Sequence, residues 1–250
     1  GHLGLNNFIM YYDANNVQLS TRVDEVDTEN VAMKYEAWGW NVLTIDGHDV
    51  DAIRAALTAA CDERERPTLI IGRTVMGRGA KAADGTSFED KVSTHGQPLT
   101  AAGADMEATV RNLGGDPADP FAVFPESREV YDARCAELRE WARKLRETER
   151  SWRDEHRELA RKLDLFLSGE VPEIDYKGIE MKPDGATRAA SATVLGLYAE
   201  KVENMIVASA DLSNSDKTDF TGKFFQAGVS ELTMACVMNG MALHGGVIPA

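Results

Sequence analysis

Short apolar runs alternate with helically spaced apolar positions along the N-terminal part of the chain. The runs cover residues 7–13, 41–45 and 67–72, and each has the length of a strand. Between them, residues 28–38 and the segment that follows Asp49 carry apolar side chains at helical spacing. Strands and helices that alternate with short loops predict a parallel sheet with helices on its faces. We therefore expect an α/β fold, in which residues 7–13 form a buried strand.

Both predicted helices carry terminal signals. Gly39 is expected to end the first helix. Asp49 is expected to cap the second, because its side-chain oxygen can accept from the free N–H groups of the first turn. The apolar positions are Val31, Met33, Tyr35 and Trp38 in the first helix, and the inward face of the second is expected at Ile53, Ala56, Leu57 and Ala60.

Two longer segments interrupt this alternation. Residues 77–100 are rich in Gly, Ser and Thr and too long for an ordinary connection, which favours a functional loop. Residues 129–168 are highly charged, with apolar side chains that recur at helical spacing. This pattern predicts a helical arm, as one stripe or a helix pair, between two domains.

A second α/β unit begins near Pro183. The pattern predicts a helix over residues 186–201, a strand that ends near Ser209, and an apolar helix within SELTMACVMNGMALHGG. We expect two partial domains, residues 1–125 and 181–250, joined by a helical linker over residues 126–180. Both ends of the chain resemble cuts through folded domains, so we expect a segment that is inactive by itself.

Charge and cysteine usage narrow the class of protein. The formal net charge of −14 argues against nucleic acid or an anionic membrane as the main partner. The three cysteines are far apart and have no metal-ligand spacing, which favours free thiols and a reducing, cytoplasmic setting. No apolar run reaches membrane-spanning length.

Polar clusters follow three predicted strands, where ligand sites of open parallel sheets lie. They cover residues 13–16, 74–77 and 209–211. Any one of them alone is explained by turn chemistry. Asn15 is either a turn residue or the source of a neutral oxygen ligand for Mg²⁺ or Ca²⁺.

Three charged or titratable side chains have two readings each. Glu231 is either an ordinary acidic residue in the first turn of a helix or a desolvated carboxyl that shares a proton with a heterocycle nitrogen. His95 is a solvated loop residue or a catalytic or phosphate-binding group. Arg188 is a surface residue or an anion binder beside a helix N-terminus.

A series of motifs, taken in order, resembles transketolase. They are GHLGLNNFIMYYDANNVQLST, AMKYEAWGWNVLTIDGHD, PTLIIGRTVMGRG, STHGQPL, ATRAAS, ASADLSNSDKT and GVSELTMACVMNGMALHGG. The resemblance implies transfer of a two-carbon ketol unit between sugar phosphates, with thiamine diphosphate and a divalent cation (Mg²⁺ or Ca²⁺). It also implies a homodimer in which the diphosphate-binding domain of one subunit meets the pyrimidine-binding domain of the other.

The resemblance assigns cofactor roles to five residues. Asn15 corresponds to a metal ligand through its side chain, and Val17 to one through its backbone carbonyl. Met76 corresponds to an apolar residue against the thiamine, and Asp211 to a cofactor-site residue of the second domain. Glu231 corresponds to the glutamate that hydrogen-bonds the aminopyrimidine and helps to activate the cofactor.

Three residues are assigned to the substrate in the same way. His95 corresponds to a histidine near the diphosphate and the reacting carbon, where it has both cofactor and catalytic roles. Arg188 and Ser215 correspond to residues that bind the substrate phosphate.

Departures from the family's pattern leave alternatives open. The chain has Ala14 and Asn16 where the family has an acidic residue and glycine, and residues 19–21 read LST in place of Ile-Asp-Gly. A non-catalytic assembly or regulatory subunit with the same fold is therefore one alternative. A related enzyme such as 1-deoxyxylulose-5-phosphate synthase is another. The sugar pair, the metal and the pathway are not indicated by the residues.

Overall fold

The computed structural model describes residues 1–219 and 223–250. Two compact units cover residues 1–129 and 130–250. The elements of the first unit are β1 Ile9–Ala14, α1 Val31–Ala37, β2 Asn41–Asp46, α2 Val50–Asp62, β3 Thr68–Arg73, α3 Leu99–Ala102 and α4 Met106–Asn112. The three strands form a parallel sheet in the order β1-β3-β2. The predicted α/β fold with parallel strands is thus confirmed.

The central strand of this sheet is β3, and it is the buried one. Thr68, Leu69 and Ile70 are each 0% exposed. By contrast, β1 lies at the edge of the sheet, and its Tyr11 and Tyr12 side chains are exposed. The prediction that this strand is buried is therefore wrong for this chain, because β3 takes the middle position and β1 is paired on one side alone.

Helix α2 packs on the sheet through small side chains. The Asp49 carboxylate accepts from the N–H groups of Asp51 and Ala52, which confirms the predicted cap. Ala56 and Ala60 are buried against Ile70. Leu57 was expected on the same face but is 44% exposed. That part of the prediction is wrong, because close approach of the helix uses the alanine row and turns Leu57 outward.

Helix α1 begins at Val31 because Asn30 caps it, with the Asn30 side-chain oxygen 3.1 Å from the N–H of Met33. Two of the apolar positions in this segment, Met33 and Trp38, are 65% and 53% exposed. Tyr35 packs edge-on against the ring of Trp38, with ring centroids 5.1 Å apart.

The long segment over residues 77–100 is built around a small core of its own. Phe88 is buried with Ala80 and Ala104. The Phe88 N–H donates to the Ala80 carbonyl at 2.8 Å, which closes the turn between them. The Glu89 carboxylate accepts from the Gly79 N–H at 2.6 Å, and this bond lowers the pKa of the Glu89 carboxyl. The segment is therefore ordered by local packing and by these hydrogen bonds.

The elements that follow are α5 Pro125–Glu155, α6 Arg157–Ser168, α7 Thr187–Lys201, β4 Met205–Ser209, α8 Ser213–Asp216, β5 Phe224–Gln226, α9 Glu231–His244 and β6 Ile248–Pro249. The predicted helical arm is a helix pair, α5 and α6, with a break at His156. Its charged surface carries ion pairs such as Arg143 with Glu147. Its apolar side chains include Trp141, which is 63% exposed.

The second sheet is also parallel, in the order β5-β4-β6. Strand β4 is central and ends at Ser209, as predicted. Its buried residues Met205 and Val207 pack with Val202 and Ile174. Among the helices that the structure describes, none is both long and apolar enough to cross a membrane. The three cysteines are free and exposed.

Candidate functional site

The carboxyl ends of the first three strands are joined by side-chain hydrogen bonds. The Thr74 hydroxyl, after β3, donates to the Asp13 carboxylate at the end of β1. The Asn15 amide donates to the same carboxylate at 3.3 Å. On the other side of β3, the Val75 N–H donates to Nε2 of His48 at 2.8 Å. The ends of β1, β2 and β3 therefore form one continuous polar edge, which includes two of the predicted clusters, residues 13–16 and 74–77. The third predicted cluster, residues 209–211, follows β4 in the second unit.

Asn15 and Val17 lie in one tight turn at this edge. The Asn15 side-chain oxygen accepts from the Val17 N–H at 2.9 Å. Val17 is 5% exposed, and within the described residues no donor is bonded to its carbonyl oxygen. The turn therefore contains two neutral oxygens, one from the amide and one from the backbone, both of a kind that Mg²⁺ and Ca²⁺ accept.

Asn16, one of the departures from the family's pattern, occupies a left-handed turn position. Asn16 has φ +59°, in the left-handed region where glycine is favoured and asparagine is the best tolerated alternative. Its side chain is bonded twice to Asp24, through the Asp24 N–H at 3.2 Å and the Asp24 carboxylate at 2.9 Å. The asparagine thus adopts a conformation that glycine takes readily, and its two contacts with Asp24 stabilise it.

Met76 and His95 are brought to the same edge by the 77–100 segment. The Met76 carbonyl accepts from the Asp90 N–H at 2.8 Å. A Cβ added to Gly96 would lie 2.9 Å from Cδ1 of Leu19, so the His95 turn touches the loop after β1. Asn15, Val17, Met76 and His95 therefore lie on connected loops at one edge of the sheet.

His95 has one ring nitrogen without a partner. Its Nδ1 atom is buried, and the described residues provide no hydrogen-bond partner for it. A buried polar atom of this kind costs free energy unless a ligand or water satisfies it. The ring is therefore suited to donate to, or accept from, a group that enters the site.

In the second unit, Arg188 and Ser215 are in direct contact. Arg188 is the second residue of α7, and its Nη1 atom donates to Oγ of Ser215 at 3.0 Å. Both side chains are exposed. A guanidinium and a hydroxyl that meet beside a helix N-terminus are well suited to bind a phosphate. The resemblance assigned both residues to the substrate phosphate, but nothing in the sequence indicated that their side chains are in contact.

Asp211 follows the carboxyl end of β4 in a left-handed turn with φ +62°. The turn is held by Ser209, whose hydroxyl accepts from the Leu212 N–H at 3.2 Å. The Asp211 side chain is exposed. Among the described residues, no group within the turn is hydrogen-bonded to the Asp211 carboxylate, so this carboxylate is available to a ligand.

Glu231 is the first residue of α9, as predicted. The described residues of this chain leave its side chain exposed, so the expected desolvation is not provided by the single chain. The neighbouring apolar side chains Val229 and Leu232 are 81% and 79% exposed. The carboxylate therefore stands within an uncovered apolar surface.

The oxygen atoms at this edge decide whether it could hold a metal ion. In residues 1–219 and 223–250, no group of three or more His, Cys, Asp or Glu side chains is placed to hold a metal. The two neutral oxygens of Asn15 and Val17 fit a hard cation that takes its charged ligands from elsewhere, such as a diphosphate.

Two residues of this edge had not been recognised from the sequence. Arg22 and Asp90 form an ion pair, with Nη1 and Oδ2 separated by 3.1 Å. Both lie in loops, 68 residues apart, and no local periodicity connects them.

Two family models match the chain. One, described as the transketolase thiamine diphosphate binding domain, matches residues 1–172, and the other, the transketolase pyrimidine binding domain, matches residues 184–250. The chain belongs to the transketolase family. The predicted resemblance is thus confirmed. The predicted domain limits at residues 125 and 180 stay predictions.

Individual transketolases agree with this assignment. The chain is 35% identical to a plasmid-encoded transketolase of Cupriavidus necator over its whole length and covers 39% of that protein. It is 32% identical to the transketolase of Bacillus subtilis, with 99% of the chain and 38% of the relative covered. The chain therefore spans about two fifths of these relatives.

Solved transketolases share the fold. A Pichia stipitis transketolase in complex with sedoheptulose-7-phosphate superimposes with a TM-score of 0.82 at 28% identity, covering 98% of this chain and 38% of that one. The Campylobacter jejuni transketolase superimposes with a TM-score of 0.76 at 31% identity, and the match covers 100% of this chain and 38% of that one.

Proposed function

We propose that the full-length protein is a transketolase that moves a two-carbon ketol unit between sugar phosphates. The observation that carries the proposal is that one chain contains matches to both cofactor-binding domains, with Asn15, Val17 and His95 on connected loops of the first. A non-catalytic subunit is disfavoured, because Asn15, His95, Arg188 and Glu231 are all retained and Asn16 adopts a left-handed conformation that glycine would take readily.

In this proposal, thiamine diphosphate and a divalent cation are held partly by residues of this chain. Asn15 and Val17 supply two oxygen ligands to the cation, which in turn binds the diphosphate. Met76 contacts the thiamine, and Asp211 binds on the pyrimidine-binding side. When bound, the cofactor supplies a carbon nucleophile and an electron sink for the transferred unit.

His95 and Glu231 are the proposed hydrogen-bonding and proton-sharing groups of the reaction. The unpartnered Nδ1 of His95 is free to bond to a substrate oxygen or a diphosphate oxygen. The Glu231 carboxyl hydrogen-bonds the aminopyrimidine ring and shares a proton with it. Both groups act by position, because each must be within hydrogen-bond reach of its target.

We further propose a homodimer that completes the site. The exposed apolar residues at α9, including Val229, Leu232 and Leu243, support burial of this helix against a partner subunit. Such burial would also desolvate Glu231. A cytoplasmic role in the pentose phosphate pathway is part of the proposal, and the exposed free thiols fit a reducing compartment.

The activity can be tested directly with the full-length protein. Incubation with xylulose 5-phosphate, ribose 5-phosphate, thiamine diphosphate and Mg²⁺ is expected to yield glyceraldehyde 3-phosphate and a seven-carbon ketose phosphate. Product formation should require both the cofactor and the metal. If the folded, cofactor-saturated protein forms no seven-carbon product, the proposed activity is wrong.

Replacement of Arg188 by Ala is expected to raise KM for phosphorylated donors by about 10- to 100-fold, because a charge-assisted phosphate contact is lost. Ser215→Ala should raise KM less, because a neutral hydroxyl is removed. The measurement compares xylulose 5-phosphate with unphosphorylated xylulose for each variant.

The unphosphorylated donor and a second arginine variant are the controls for this prediction. Turnover of unphosphorylated xylulose should change little in Arg188→Ala. Arg150→Ala, which removes an exposed arginine from α5, should leave both donors unaffected. Equal losses with the two donors would contradict a role for Arg188 in phosphate binding.

A further inference from the structure

We propose that Arg22 and Asp90 are a positioning pair that sets the loop carrying His95 against the turn of Asn15 and Val17. The inference rests on the proposed function, and it adds two residues to which neither the family's motifs nor the sequence pattern gave a role. The contact joins residues 68 positions apart in the sequence.

Arg22 is anchored directly opposite the proposed metal turn. It lies across from Val17 in an antiparallel bridge. The Gln18 N–H donates to the Thr21 carbonyl at 2.8 Å within the same bridge. The Nε atom of Arg22 is also 3.7 Å from the Asp24 carboxylate. The backbone of Arg22 is therefore tied to the residue whose carbonyl is proposed to bind the cation.

Asp90 is anchored in the loop on the other side of the contact. Its N–H donates to the Met76 carbonyl at 2.8 Å. It lies two residues after Phe88, the centre of the small core, and five residues before His95. Arg22 Nη1 donates to the Asp90 carboxylate at 3.1 Å and to the Asp90 carbonyl at 3.4 Å. Asp90 thus connects Met76, Arg22 and the His95 turn.

The backbone of Asp90 shows that this position is constrained. Its φ of +56° lies in the left-handed region, which a residue with a side chain adopts at an energetic cost. Surrounding contacts must maintain it. Arg22 bonds to the side chain and the carbonyl of Asp90, and Met76 accepts from its N–H. Loss of Arg22 would remove two of these three contacts.

The pair is suited to positioning more than to stability. Its side chains are 32% and 48% exposed, and ion pairs at that exposure contribute little to the free energy of unfolding. A small displacement of a catalytic group, however, can lower the rate strongly. We therefore expect loss of the pair to affect turnover and loop order without unfolding the protein.

The test uses the full-length protein with Arg22→Ala, Asp90→Asn and the double variant. Asparagine tolerates the left-handed conformation, so Asp90→Asn removes charge without straining the turn. Each single variant is expected to lower kcat/KM about tenfold. Because the two residues act as a unit, kcat/KM of the double variant should be within about twofold of that of the less active single variant. Arg22→Lys should restore part of the activity.

A second measurement does not depend on activity. Hydrogen exchange at the amides of Asp90 and His95, which donate to the carbonyls of Met76 and Val92, is expected to quicken about tenfold or more in Arg22→Ala. Arg54→Ala is the matched control. It breaks another Arg–Asp contact of the same unit, from Arg54 to Asp51 at 2.7 Å, and should change neither exchange nor turnover.

The outcomes separate this inference from the proposed function. If the wild-type protein lacks ketol transfer but Arg22→Ala quickens exchange at residues 90–95, the proposed function fails and the pair stands. If the wild type is active and Arg22→Ala matches it in rate and exchange, the pair is overturned. Additive losses in the double variant, or losses that parallel a lowered thermal midpoint, overturn it as well.

Discussion

Glu231→Gln is expected to lower kcat by about 10²- to 10⁴-fold in the full-length protein, the range over which a positioned proton-transfer group acts. Glutamine has the same shape and can still hydrogen-bond the aminopyrimidine ring, but it cannot share a proton with it. Affinity for the cofactor should therefore change much less than turnover. Steady-state kinetics at saturating thiamine diphosphate, together with titration calorimetry, would measure the two effects separately.

Glu200→Gln is the matched control for this substitution. Glu200 is exposed near the end of α7, in the same unit, and its loss of charge should leave kcat unchanged. The thermal midpoint of Glu231→Gln should stay close to that of the wild type, because glutamine has the same shape and a neutral side chain costs no more to desolvate than a carboxylate. Wild-type turnover in Glu231→Gln would exclude the proposed proton-sharing role.

Asn15→Ala is expected to weaken Mg²⁺-dependent binding of thiamine diphosphate by about 10- to 100-fold or more. The substitution removes one proposed oxygen ligand, and it also removes the 2.9 Å hydrogen bond that positions Val17, the second proposed ligand. The free energy of unfolding should fall by roughly 1 kcal/mol, the value of one ordinary hydrogen bond. Cofactor titrations at several Mg²⁺ concentrations would measure the first effect, and urea unfolding the second.

Asn30→Ala is the matched control, because it is expected to lower stability without changing the affinity for the cofactor. It removes the side-chain cap of α1, which accepts from the Met33 N–H at 3.1 Å, and should cost about 1 kcal/mol of stability with no change in cofactor affinity. If Asn15→Ala and Asn30→Ala prove alike in both measurements, Asn15 is a turn residue and the metal assignment is wrong.

The elements of the fold could be read from the sequence because their signals are local. Hydrophobic spacing over a few residues indicated β2, β3, α7 and the end of β4, and Asp49 marked the start of α2. Side-chain caps and periodicity act within one or two turns of chain. The family came from the ordered motifs, and the two family models confirm it. The roles that the motifs assign to individual site residues stay predictions.

The tertiary structure decided the features that depend on contacts between distant parts of the chain. It placed β3 in the centre of the sheet and β1 at its edge, and it left Leu57 exposed on the outer side of α2. An apolar run has the same composition in either strand position, so its sequence does not indicate how many neighbours it will have.

The distance along the sequence over which a signal acts separates the features that the sequence determined from those that the tertiary structure decided. The sequence by itself determined the fold class, the positions of the longer helices and of the strands of the first sheet, and the residue types available for a cofactor, because each depends on neighbouring residues. Only the folded chain brought Arg188 to Ser215 and Arg22 to Asp90, across 27 and 68 positions of sequence. Such pairings follow from the packing of whole loops and helices, which no local pattern encodes.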